Sequence, residues 1–535
     1  MGKTEHGRFL LLALSLLLVL GVCLHFCLWK SGMFIDEIYT YGLSNSHYQP
    51  FIGHGEGEWM KEQLLTREDF FDYLAVTGED RFDFASVYSN QELDVHPPLH
   101  YWIINFCSSL AENQFSKWIG LIPDLMIYLG TLVLLFVLVR ELFSDDAAAA
   151  LCVLLYGLSR VGLSTMLMIR MYVLMTLFTV LLALEIAKLM EKERWFRYPL
   201  IGLTVFLGLL TQYYFVFYAF FVCAAYVFWA AAKRRWRSLG LFALSAFAGV
   251  GLLPLVFPAC ISHLTADKLV SGGNAVEQLS AVSQYKTRLL LFFHEANHGM
   301  KAAVLFTLGL LLLLLVFCKR LLAAAKAKKL PWESLVILVP AFAAFVTAAL
   351  ISPVPEQRYI YNLAPLFAAA VSFLIALLER SLEGLPREGL WKAGGLLAVL
   401  ALSLLLAKHQ PPKYLYPIDP CYEDSYAAFD ALAAEHASDP CVYLTEYSYP
   451  PTQDLGELLA FEDVLFTGDP DSPAVDDYLA ARQSRECVVY IDVSKEWASG
   501  FDPEKMLPEL TASTDYTDWE LLYENGLSVA YLLRK

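Results

Sequence analysis

Charge is what this sequence has least of. Only 18% of its 535 residues are Asp, Glu, Lys or Arg, against 57% hydrophobic residues, and the mean hydropathy is +0.48. An ordinary soluble domain carries more charge than that, so the composition points to a polytopic membrane protein with helical spans. A basic face is also missing, which removes nucleic acid from the partners. The ten cysteines fall without metal-ligand spacing; Cys152, Cys223 and Cys318 sit inside apolar runs, as buried small hydrophobes do. Neither a glycine-rich phosphate loop nor an internal repeat is found.

The little charge there is lies unevenly. Residues 409–535 hold 25 acidic and 7 basic residues, leaving 30 and 32 for the first 408. The net charge of −16 therefore belongs to an acidic tail on a near-neutral body. Two parts are expected: a membrane body over 1–408 and a soluble domain over 409–535. Short β-rich runs in the tail, CVYLTE (441–446), VLFTG (464–468) and CVVYIDV (487–493), alternate with helical texture such as SPAVDDYLAARQ (472–483). Asn525-Gly526 then marks a hairpin turn. That pattern predicts a small α/β domain. A disulfide among Cys421, Cys441 and Cys487 requires an external tail, and three cysteines leave one over.

Apolar runs are abundant. The first, residues 9–28, is long enough to cross a bilayer; no small-residue cleavage site follows it, so a retained anchor is expected. Further runs lie near 119–139, 147–165, 171–190, 199–213, 215–232, 239–258, 302–318, 333–352, 361–378 and 391–407, giving about eleven spans once 199–232 is split around TQYY. Alternate connections and the N-terminus gather 19 Lys and Arg, which predicts a cytoplasmic N-terminus and an external tail. On that topology two long segments, 30–118 and 259–300, lie outside. Within the first, HPPLHYWIINFCSSL (96–110) reads as a helix along the membrane surface, opened by Pro97 and Pro98.

The spans themselves read as largely free of charge. Polar residues that are not cytoplasmic then form a short list: Asp36 and Glu37 in FIDEIYTY, Asp94 and His96 in LDVHPPLHYW, Arg160 and Arg170 near spans three and four, and Arg358 in PEQRYIYNLAP. Five of them have a plain structural reading. Asp36 suits a helix cap, Glu37 a solvated or supporting carboxylate, His96 a proline turn, and Arg160 and Arg170 the membrane interface. Yet four distant stretches converge on one membrane face. Carboxylates there supply a base, and arginines bind phosphate.

An Asp-Glu pair after the first span, D-x-HPPL-x-YW opening a surface helix, and R-x-Y between spans three and four together resemble the GT-C superfamily of membrane glycosyltransferases. Within it, residues 9–378 are similar to the bacterial protein O-mannosyltransferase-like and aminoarabinose transferase-like (glycosyltransferase family 39-like) branch. The resemblance implies transfer of a sugar from a polyprenyl-phosphate donor to a lipid, glycan or protein acceptor on the outer face of the cell membrane. It implies Asp36 as the catalytic carboxylate, with Glu37 beside it, and inversion at the sugar. Asp94, His96, Arg170, Tyr172, Arg358 and Tyr359 would form the donor and phosphate site. Two positions depart from the pattern: Met168 stands where relatives often carry an acid, and Gln212 where they often carry histidine. A divalent cation thus stays open as a cofactor, with no ligands assigned.

One motif points elsewhere. His294, Glu295 and His298 in FFHEANHG match H-E-x-x-H, which on a helix binds zinc with the glutamate as base. A membrane zinc metalloprotease is therefore the rival reading, but the segment is expected in an external loop and a third ligand is not evident. A lipid or solute transporter is a further alternative. It calls for charges inside the spans or broken helices in paired halves.

Overall fold

The computed structural model describes all residues except 1–2, 53–61, 266–278, 328–329, 408–414, 416–423, 447–448 and 494–500. Its chain divides into two compact units. One comprises residues 1–29, 95–100 and 121–417; the other comprises 30–94, 101–120 and 418–535.

The first unit is helical, and each of the eleven expected runs forms helix. Among the described residues, seven helices are long and apolar enough to cross a membrane as they stand, and two bent pairs raise the number to nine. In those pairs Asp146–Gly157 turns by 63° into Arg160–Leu167, and Val282–Gly299 turns by 97° into Lys301–Val316. Arg197–Thr211, with 15 residues, is shorter, and Glu388–Ala407 closes the series. The break at TQYY falls as expected, since one helix ends at Thr211 and the next starts at Phe215.

Helices Arg197–Thr211 and Trp236–Val256 approach closely because both carry glycine at the crossing. A Cβ on Gly202 would stand 2.6 Å from the Ser245 carbonyl oxygen, and one on Gly249 would stand 2.3 Å from that of Gly202. Small residues of this kind allow backbone-to-backbone packing where lipid supplies no hydrophobic drive. Charges from connections expected on one side meet each other. Asp146 takes both Arg8, at 3.2 Å, and Arg140, while Lys392 bridges Asp145, at 3.0 Å, and Glu379. Lys233 likewise pairs with Glu333 at 2.7 Å.

Two expectations need correction. The HEANH segment is not loop but the last turns of helix Tyr285–Gly299. Nor are the spans free of charge: Asp124 in Lys117–Phe143 is fully buried, and Glu185 in Tyr172–Glu191 is buried against Arg197 at 3.0 Å. Both acids were masked in the sequence by strongly apolar neighbours.

The second unit holds one six-stranded sheet in the order β1-β3-β2-β4-β6-β5. Its strands are β1 (Gln63–Thr66), β2 (Cys441–Leu444), β3 (Asp463–Thr467), β4 (Glu486–Asp492), β5 (Asp518–Glu524) and β6 (Ser528–Arg534). The three central strands β3, β2 and β4 are parallel; the rest pair antiparallel. β5 and β6 form the expected hairpin, with Gly526 at φ +86° in its turn. Alternation along the strands separates two faces. Val442, Leu444, Val489 and Ile491 pack under helices Pro473–Arg482 and Pro503–Ser513, against Leu479 and Leu510. The opposite face carries a ladder of aromatic rings, Phe466–Tyr443–Tyr490, with centroids 5.5 and 5.3 Å apart. Cys441 and Cys487 are both free, buried thiols; Cys421 lies outside the described residues. β1 comes from the segment after the first span, a strand that its short sequence did not announce. It pairs with β3 from Gln63 opposite Phe466 to Thr66 opposite Asp463.

Candidate active site

Asp36 and Glu37 stand in the first turn of helix Ile35–Asn45, where exposed N–H groups favour acids. The two carboxylates are used differently. Glu37 is fully buried: one oxygen accepts from the ammonium of Lys30, also fully buried, and the other accepts the Phe34 N–H at 2.7 Å. Asp36 is half-exposed, and its carbonyl accepts the Thr40 hydroxyl at 2.9 Å. The start of this helix is tied down from outside as well. Lys117 donates to the Lys30 carbonyl, and the Tyr41 hydroxyl donates to the Ser116 carbonyl at 2.8 Å while accepting the Gly120 N–H at 3.0 Å. Asp94, in the same unit, ends helix Phe84–Leu93, its N–H on the Asn90 carbonyl at 3.1 Å.

The remaining expected residues lie in the helical unit. His96 is half-buried, just before Pro97 and Pro98, and helix Leu99–Leu110 starts directly after them. Arg170 is buried in the break between Arg160–Leu167 and Tyr172–Glu191. Tyr172 meets Tyr361 edge-on, with centroids 5.7 Å apart, and Asn362 donates to the Thr179 hydroxyl at 3.2 Å. R-x-Y and QRYIYN, 183 residues apart at Thr179 and Asn362, are thus one structural neighbourhood. Arg358 pairs with Glu356, and its guanidinium lies 5.6 Å from the Tyr359 ring centre; Tyr359 packs on Tyr214 at 4.9 Å.

Three polar arrangements escaped the sequence reading. His100 and Asp124, both fully buried, bond at 3.1 Å between Nε2 and Oδ1. The signal was present in the second histidine of HPPLH and in the lone acid of the run 119–139. Arg288 is buried at the end of helix Leu335–Ile351, where it donates to the carbonyls of Ala349, at 3.2 Å, and Ser352. A cation there offsets the helix's negative end. Lys30, which the sequence reading did not single out, is the buried partner of Glu37.

An apolar cavity of about 480 Å³ opens between helices Tyr285–Gly299, Lys301–Val316, Leu335–Ile351 and Ala364–Leu382. Phe293, Met300, Leu311, Leu338, Phe342 and Phe367 line it.

The H-E-x-x-H residues do not fit a zinc centre. Arg160 donates to His298 Nε2 at 2.9 Å, so the lone pair that would hold a metal faces a guanidinium. Glu295 accepts from Gln357 at 3.1 Å. Among the described residues, the three-residue group with convergent ligand atoms is His436, Asp439 and Glu486, far along the chain in the tail. Arg534 already donates to Glu486 at 3.0 Å.

Residues 95–260 match the family described as dolichyl-phosphate-mannose-protein mannosyltransferase. No curated protein matches the chain. Similar solved structures include ArnT from Cupriavidus metallidurans bound to undecaprenyl phosphate, 12% identical over 96% of this chain and 97% of that one, with a TM-score of 0.48. Another is the oligosaccharyltransferase AglB from Archaeoglobus fulgidus in complex with an inhibitory peptide and a dolichol-phosphate, 12% identical over 91% and 70%, with a TM-score of 0.41. The family match runs across HPPL and R-x-Y, the motifs that carry the sequence resemblance.

Proposed function

We propose that the protein moves a sugar from a polyprenyl-phosphate donor to an acceptor hydroxyl at the outer face of the cell membrane, with Asp36 as the general base. The observation that carries the assignment is the division within the Asp-Glu pair. Both Glu37 oxygens are engaged inside the fold, whereas Asp36 is half-exposed beside it. Glu37 supports the site and Asp36 performs the chemistry.

In the proposed step Asp36 takes the acceptor's hydroxyl proton as that oxygen forms a bond to the anomeric carbon. The bond from this carbon to the phosphate oxygen breaks, and polyprenyl phosphate leaves with the electron pair. Direct displacement inverts the sugar. Arg170 and Arg358, with Tyr172 and Tyr359, are assigned to the phosphate, where fixed cations offset the charge developing on the leaving group. Asp94 and His96 are assigned to donor binding, as the D-x-HPPL motif implies. The apolar cavity next to helix Tyr285–Gly299 suits an isoprenoid chain, since its lining is aliphatic and aromatic.

The acidic region 409–535 is assigned to the external side, beyond a membrane body of residues 1–408 with its N-terminus in the cytoplasm. Its acceptor is a lipid, glycan or protein, and no step is assigned to a metal.

The test is transfer of labelled sugar from a panel of polyprenyl-phosphate hexoses and pentoses in membranes containing wild type or Asp36→Asn. Loss of a general base lowers the rate by roughly 10²–10⁴-fold. Normal transfer by folded Asp36→Asn overturns the assignment of the base.

A further inference from the structure

We propose that Lys30 is a positioning residue for this reaction, acting through Glu37 to hold the turn that presents Asp36. The inference rests on reading Asp36 as the base.

The geometry is a closed loop of the chain. Lys30 follows directly after the first span, and Glu37 lies one residue past Asp36. The ammonium of Lys30 and a carboxylate oxygen of Glu37 meet with both side chains at 0% exposure. Lysine and glutamate are almost never so deeply buried unless paired, because each must leave water behind. The second Glu37 oxygen accepts the Phe34 N–H, and the Phe34 carbonyl accepts the Glu37 N–H at 2.8 Å. Lys117 fixes the other end of the loop through the Lys30 carbonyl. Residues 30–37 are therefore held at Lys30, at Phe34 and at Glu37, and Asp36 rides on the last of these anchors.

Removing the ammonium leaves a buried carboxylate without its counter-charge. Glu37 then either takes up a proton or swings toward water, and in both cases the bonds that fix the first helical turn are remade. A general base must lie within hydrogen-bond reach of the proton it takes, so displacement of the turn by about 1 Å lowers the rate on the order of 10²-fold. Donor binding, assigned to other residues, is left intact. The charge on Lys30 is not itself needed for the chemistry. Removing both charges together, with side chains of similar length, restores the fit.

The experiment uses the full chain in proteoliposomes with native acceptor membranes and undecaprenyl-phosphate-linked [³H]hexoses as probes. Wild type, Asp36→Asn, Lys30→Met, Lys117→Met and the double variant Lys30→Met/Glu37→Gln are compared per amount of monodisperse protein. The expected result is a loss in kcat of about 10²-fold for Lys30→Met with donor KM within about 3-fold. Lys117→Met, altered at a half-buried site, shows a smaller loss of the same type, and the double variant recovers to within about 10-fold of wild type.

Wild-type kcat in folded Lys30→Met and Lys117→Met overturns the proposal. A folded double variant as inactive as Asp36→Asn also overturns it, because Lys30 or Glu37 then takes part in the chemistry directly. If Lys30→Met does not fold, Lys117→Met and the double variant decide. Normal transfer by Asp36→Asn, or transfer from none of the donors by wild type, removes instead the reading on which the proposal stands.

Discussion

The ring of Tyr172 stands nearly perpendicular to that of Tyr361, at 85°, with centroids 5.7 Å apart. This contact joins the R-x-Y motif to the segment that carries Arg358. An edge-to-face pair contributes about 0.5–1.5 kcal/mol beyond the area it buries. Tyr361→Leu is therefore expected to raise the donor KM roughly 2–10-fold while changing kcat less, as measured by initial rates against donor concentration. An unchanged KM would separate the two motifs functionally.

Arg358 is assigned to the leaving phosphate. Replacing it by Gln removes a fixed cation where charge develops, a change that lowers the rate by about 10²–10³-fold at comparable sites. Lysine keeps the charge but not the two-pronged geometry, so Arg358→Lys is expected to fall between Gln and wild type. Labelled-sugar transfer by the three proteins checks the order; Lys equal to Gln would argue that geometry alone matters.

His100 and Asp124 have no exposure, so truncating either partner strands the other. Asp124→Leu alone is expected to destabilise the protein by about 3 kcal/mol or more, and His100→Leu/Asp124→Leu by less than the two single changes together. Thermal unfolding in detergent, followed for all four proteins, measures this coupling. Additive losses would mean the two side chains do not act as a pair.

Asp454 gives the C-terminal sheet a pH dependence. Burial is the main cause that lifts its carboxyl to about 6; hydrogen bonds from Ser528, Tyr443 and Asn525 oppose the rise, and the nearby Asp492 adds to it. The folded form thus keeps a proton that an unfolded Asp releases near pH ~4. Stability from this group is full below that value and is lost as pH rises through about 6. Relative to Asp454→Asn, wild type is expected to weaken between those two values. Hydrogen-exchange protection of the β2 and β4 amides, compared in the two proteins across that range, is the measurement. Parallel profiles would exclude Asp454 as the source.

The pairing of β1 with β3 predicts that Leu65→Pro, opposite Val464, removes a ladder bond. Hydrogen exchange is expected to quicken in residues 463–467 and to stay as in wild type in β5 and β6. No local change would mean that β1 does not hold this edge.

Much of the molecule was legible in the residues themselves. Every apolar run became helix, because a predominantly apolar stretch of about 20 residues has few ways to satisfy its backbone in lipid except internally. The tail's strands fell where β-branched and aromatic runs sat between turn residues, and Asn525-Gly526 turned as its φ preference dictates. HPPL ended one element and opened the next because proline forbids a helix before it and suits one after it.

Pairings between distant residues were not legible, since local pattern carries no information about them. H-E-x-x-H shows this most clearly. The spacing was right and even the helix was present, yet Arg160, 138 residues away, faces His298 Nε2 and makes the pair a poor metal ligand. Composition and period alone determined a multi-span helical body and an acidic α/β tail, and short motifs supplied the resemblance to a glycosyltransferase family. Tertiary structure alone decided which carboxylate of the Asp-Glu pair is buried on Lys30, that Asp124 meets His100, and that Gln63–Thr66 completes the sheet. The physical reason is the same in each case: hydrophobic periodicity is written along the chain, whereas the partner that compensates a buried charge or an open strand edge is chosen only when the chain has packed.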